Sequence, residues 1–150
     1  MKKILPQTTA WFPVLLWMLL IFVLSGQTAP DSDQLSKGLI NLVLPFIDQL
    51  IPVFGNGTPD DLLLYLDHLV RKLTHFLLYL VLGVLSVRAL VKNQVSTWKS
   101  VTFSVLICLL YAMTDEWHQV FVPGRSGQPS DVLIDSLGAL AGALFRGSRN

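Results

Sequence analysis

The sequence predicts an all-α membrane protein: a four-helix transmembrane bundle, with an amphipathic helical segment at the outer membrane surface between spans one and two. Three observations lead there. Of 150 residues, 52% are hydrophobic and only 14% are charged, where a soluble domain carries about a quarter charged residues. The apolar residues gather in runs close to the ~20 residues that cross a bilayer as a helix. The charges are sorted by connection in the manner of an inserted membrane protein. The length suits one domain, and the composition excludes a disordered chain. A net charge of +1 with no basic stripe argues against a nucleic-acid partner. The single cysteine, Cys108, excludes an internal disulfide framework and a multi-cysteine metal site.

The first span is expected at about 9–25, around WFPVLLWMLLIFVL. Lys2 and Lys3 before it would also suit a cleaved signal peptide. No good small-x-small cleavage site follows, so the span is expected to stay. Residues 35–54 are apolar but interrupted by Pro45 and Pro52, and proline in a helix interior costs about 3 kcal/mol. With Leu39, Leu42, Val43, Phe46, Leu50 and Val53 at helical spacing, this reads as a bent amphipathic piece on the membrane surface rather than a further span. Gly55-Asn56-Gly57 makes a turn. Thr58-Pro59-Asp60-Asp61 is a helix start, with a capping residue, a first-turn proline and early acids. That helix is expected to run into span two at about 73–91. Span three is expected at about 95–113. Span four, at about 131–145, is the shortest run and carries Asp135.

With four spans, the N-terminal tail, the second connection and the C-terminal tail share one side. Lys2, Lys3, Arg88, Lys92, Lys99, Arg146 and Arg149 lie in those segments or in the span ends that border them, seven of the eleven cations, and no acid does. Cations are retained in the cytoplasm during insertion. Both termini are therefore expected to be cytoplasmic, with residues 26–72 and 114–131 facing outward.

The polar residues that remain cluster at the outward helix ends. Lys72, His75 and Tyr79 lie on one face of span two, and Gly83 continues it. Asp115, Glu116 and Gln119 occupy the last turns of span three. Arg125 lies in the turn that follows. Asp131 and Asp135, four apart, begin span four, with Gly138 and Gly142 in the same row, and such a row of small residues allows close helix packing. Buried charge in a bilayer is expensive and normally faces the protein interior in pairs. Lys72, His75, Tyr79, Asp115, Glu116, Gln119, Arg125, Asp131 and Asp135 are therefore expected to line one outward polar pocket. Arg125 is suited to two-pronged bonds with a carboxylate or phosphate. A salt-bridge knot that only locks the helices is the competing reading. His68, His75 and His118 lack any familiar metal-ligand spacing, so no metal or cofactor is expected. The four tryptophans read mostly as interfacial anchors.

These residues resemble the VanZ-like membrane proteins. Lys72-Leu73-Thr74-His75-Phe76 with Tyr79 and Gly83 is similar to the first signature of that family. The run from Asp115 to Arg125, through Glu116, Gln119, Phe121, Pro123 and Gly124, is similar to the second, with Asp131, Asp135 and Gly138 after it. Ser25-Gly26-Gln27 resembles a third short element. The sequence departs from the pattern at Asp135, where the family often has Asn, and in a longer segment over 35–61. The resemblance implies a multi-pass protein of the bacterial plasma membrane. The family's namesake lowers susceptibility to the lipid-tailed glycopeptide teicoplanin.

Two main functions follow as expectations. In one, the pocket binds an envelope component, the headgroup of a membrane lipid or of a lipid-linked cell-wall precursor. In the other, the protein is an intramembrane enzyme using acid–base chemistry on a lipid-linked substrate, although no nucleophile motif or phosphate-binding loop is present. A purely structural role stays open, and transport is the weakest fit. The oligomeric state is not legible.

Overall fold

The computed structural model describes residues 7–28, Gly38 and residues 59–148. The amphipathic segment expected over 35–54 lies outside the described residues. So does Thr58, the expected helix cap.

The described residues are helical throughout, with short connections. A 3-10 turn, Gln7–Ala10, leads into α1, Phe12–Ser25, with Pro13 in its first turn. Proline is tolerated there because the first N–H groups of a helix lack partners in any case. Helix α2, Pro59–Lys92, is continuous over 34 residues. At 1.5 Å per residue it is about 51 Å long, well beyond the ~30 Å of a bilayer core. Helix α3 spans Thr97–Gln119 and α4 spans Pro129–Gly147. The α2–α3 turn is closed by Gln94, at a φ of 62°, and by the Asn93 side-chain amide donating to the Ala89 carbonyl at 2.8 Å.

Three helical stretches are long and apolar enough to cross a membrane: Thr8–Ser25, Leu64–Lys92 and Thr97–Gln119. Helix α4 is not among them. Asp131, Asp135 and Arg146, with the helix's serines and glycines, make it too polar to qualify by composition. Apolar side chains nonetheless point outward from all four helices: Leu15 and Leu19 on α1, Leu73 and Leu77 on α2, Leu106 and Leu110 on α3, Leu133 and Leu137 on α4.

Helices α2 and α4 run parallel and touch backbone to backbone. A Cβ on Gly138 would stand 2.3 Å from the Phe76 carbonyl oxygen, and one on Gly142 would stand 2.0 Å from that of Leu80. On the facing helix, a Cβ on Gly83 would meet the Ala139 carbonyl oxygen at 2.3 Å. Only hydrogen fits at these positions, so the glycine row sets the helix spacing.

Helix α1 is held by polar ties through an apolar core of Val14, Ile21, Tyr79, Leu82, Cys108 and Ala112. Trp17 Nε1 donates to the Leu78 carbonyl at 2.8 Å. Tyr111 Oη donates to the Met18 carbonyl at 2.6 Å. Trp17 is thus an interhelical tie, not the interfacial anchor its type suggests. Trp98 and Trp117 are exposed, as anchors would be.

Candidate functional site

The parallel seam between α2 and α4 has two halves. Below Tyr79 it is glycine against backbone. Above, the same faces carry ionisable groups in register. Lys72 forms a salt bridge with Asp131. One turn on, His75 Nδ1 lies 3.3 Å from Asp135 Oδ1. Close approach at the glycines brings these side chains within reach, because i, i+3 and i, i+4 positions repeat on both helices.

Helix α3 adds its C-terminal turns at the same end. Asp115 is buried and accepts a hydrogen bond from Ser25 Oγ at 2.5 Å, which joins the end of α1 to the cluster. Glu116 is 6% exposed, and its Oε2 accepts from the Gln128 backbone N–H at 2.6 Å. The α3–α4 corner is folded over this carboxylate. Gly124 turns the chain with a φ of 77°, and Gly127 lies so close that a Cβ there would stand 2.7 Å from the Glu116 carbonyl oxygen. Gln119 is buried one turn beyond Asp115, and Tyr79 is fully buried one turn below His75.

Glu116, His75 and Asp135, from three different helices, offer ligand atoms that all lie within 4.8 Å of one another. Several of the polar atoms gathered here lack a hydrogen-bond partner within the protein: Oδ2 of Asp135, Oε1 of Glu116 and the Tyr79 hydroxyl. A buried polar group left unpaired costs roughly 1–3 kcal/mol. A ligand offering both donors and acceptors would recover that cost.

A model of the VanZ/LLP1 family matches residues 10–146. The chain belongs to the VanZ/LLP1 family. No curated protein and no solved structure matches it. The VanZ/LLP1 match runs from the 3-10 turn through α4, so Ser25 and all nine residues expected to line the pocket fall within it.

The structure places these residues unequally. His75, Asp135, Glu116, Lys72 and Asp131 converge, and Asp115, Gln119 and Tyr79 are buried at the adjoining turns. Arg125 is half-buried in the corner. Ion pairs among the described residues include Lys72–Asp131, His75–Asp135 and Arg71–Asp67. Lys72 is paired with Asp131 of the cluster, and Arg125 is also engaged within the protein.

Two contributors escape residue-by-residue reading. Ser25 ends an apolar run and has no charge to draw notice; its place in Ser25-Gly26-Gln27 is the one signal. The Gln128 contribution is a backbone N–H, invisible to residue type. His118 stacks on Phe22 with ring centroids 4.4 Å apart.

Proposed function

We propose that this VanZ/LLP1 protein binds the polar headgroup of an envelope lipid or lipid-linked cell-wall precursor at the outer leaflet of the bacterial plasma membrane. The chain would cross four times with both termini cytoplasmic. The sorting of cations to the tails and the α2–α3 turn supports that topology. The fit of α4 along α2, with leucines on its outer face, supports the fourth crossing despite its polar start. The acid-rich cluster then lies at the outward end.

The observation that carries the reading is the set of buried, unpartnered polar atoms from α2, α3 and α4. A structural knot would be expected to satisfy its own members; these are left for something else. The carboxylates accept from the hydroxyls, amides or ammonium of a headgroup. Lys72, whose side chain is 37% exposed at the rim, meets its phosphate, and Arg125 at the corner supplies a second cation. If the ligand is a cell-wall precursor, altered susceptibility to lipid-tailed glycopeptides follows from competition for it.

The test is titration of the purified chain with vesicles containing anionic phospholipid or a lipid-linked precursor. Saturable binding is expected, weakened about tenfold or more in Lys72→Met and in Arg125→Ala. Affinity unchanged in both variants contradicts the reading.

One observation favours a second reading. His75 against Asp135, beside Glu116, is the arrangement of a general base with an orienting acid. Turnover of a lipid-linked substrate by the purified protein, abolished in Glu116→Gln, would replace binding with catalysis.

A further inference from the structure

We propose that His75, Glu116 and Asp135 form a binding site for a first-row divalent transition cation, Zn2+ being the probe of choice. Three independent features of the site converge on it.

The first is donor chemistry. One imidazole and two carboxylates from separate helices place their ligand atoms within 4.8 Å of one another. Around Zn2+, with bonds of about 2.0–2.2 Å, ligand atoms stand roughly 3–4 Å apart. Closing the triple takes movements of about 1 Å, which side-chain torsions supply. An imidazole ligand favours Zn2+, Fe2+, Ni2+ or Cu2+ over the hard cations Mg2+ and Ca2+.

The second is that carboxylate oxygens in the triple are free to bind. Asp135 is fully buried; its Oδ1 pairs with His75 Nδ1 at 3.3 Å, and its Oδ2 has no hydrogen-bond partner. Glu116 is 6% exposed with Oε1 unpartnered. Its other oxygen is held by the Gln128 N–H, the kind of outer support that orients a metal-binding carboxylate. The His75 side chain retains 12% exposure, which leaves a route from outside.

The third is charge. Asp115, Glu116, Asp131 and Asp135 gather at this end of the bundle, where Lys72 is paired with Asp131. Two carboxylates brought together at low dielectric repel strongly. A divalent ion neutralises Glu116 and Asp135 together while His75 binds as neutral imidazole. With three protein ligands, Zn2+ keeps a fourth position open. A phosphate oxygen of the headgroup could fill it; that consequence alone rests on the headgroup reading, whereas cation binding does not.

The test uses the full chain in detergent, stripped with a chelator and titrated calorimetrically with Zn2+ in the absence of added lipid. One Zn2+ per chain is expected. Affinity should fall about 100-fold in Glu116→Gln and in Asp135→Asn, and stay unchanged in His68→Ala. X-ray absorption of the Zn2+-loaded wild type should show one imidazole among oxygen ligands, a result that does not depend on any variant folding. Lack of saturable binding by the folded wild type overturns the proposal. So does a coordination sphere with two or more imidazoles, or binding that survives both carboxylate substitutions. Lipid binding that persists in chelator-treated protein while Zn2+ fails to bind would remove the metal site and leave the headgroup reading standing.

Discussion

Ser25 shows how one hydroxyl can tie a whole helix to a polar cluster. Its Oγ donates to buried Asp115 across 90 positions of sequence, and without it Asp115 loses the partner of Oδ1. Ser25→Ala is expected to destabilise the protein by about 1–3 kcal/mol, measured as a lowered thermal midpoint in detergent; an unchanged midpoint would mean that another group takes over the bond. Lys72 behaves oppositely. Its side chain is 37% exposed, and ion pairs open to solvent contribute about 0–1 kcal/mol. Lys72→Met should therefore leave the midpoint nearly unchanged while weakening headgroup binding, which separates a ligand-facing cation from a structural one. At this scale the sequence was informative about type and mute about pairing. Lys72, His75, Asp131 and Asp135 were legible because charge beside an apolar run is too costly to persist unless it is paired or functional. That Lys72 pairs with Asp131 and His75 with Asp135 depends on how α4 lies along α2, which no local spacing encodes.

The α2–α4 seam is the element on which the site depends. Its lower half is glycine against carbonyl and its upper half is charge against charge, and the first sets the spacing of the second. A side chain at position 142 would enter the Leu80 carbonyl, where even a Cβ stands at 2.0 Å. Overpacking a close contact costs typically 1–3 kcal/mol. Gly142→Val is expected to cost at least that much, to push α4 off α2 and to weaken binding at residues two turns away. Binding retained at full strength in a folded Gly142→Val protein would uncouple the two halves. The glycine row was readable from Gly138 and Gly142 at a spacing of four. The length of α4 was not fully readable, because Asp131 and Asp135 are polar enough to hide a helix that packs along α2. Trp17 was misread for a related reason: an indole N–H finds its partner, the Leu78 carbonyl, only once α1 is laid against α2. The His75–Glu116–Asp135 triple comes from three elements, so ligand spacing along the chain could not reveal it.

For the whole molecule, the all-helical class, the VanZ/LLP1 family and the three apolar spans were accessible from the sequence, since they rest on composition, run length and short signatures. The direction of insertion is a prediction: single cysteines placed in the Pro123-Gly124 corner of a Cys108→Ser background should react with an impermeant thiol reagent added to intact cells, and cysteines beside Lys92 should not. The reverse pattern would invert the bundle and move the polar cluster to the cytoplasmic face. The central claim is that the unsatisfied polar atoms at this end of the bundle exist for a ligand. Native mass spectrometry of the chain extracted gently from its membrane tests it most directly. The account predicts a defined adduct with the mass of a phospholipid or a lipid-linked saccharide, reduced in Lys72→Met at unchanged fold stability. Bare chain in the wild type, with Asp135→Asn altering only the melting temperature, would contradict it and leave the cluster a lock between helices.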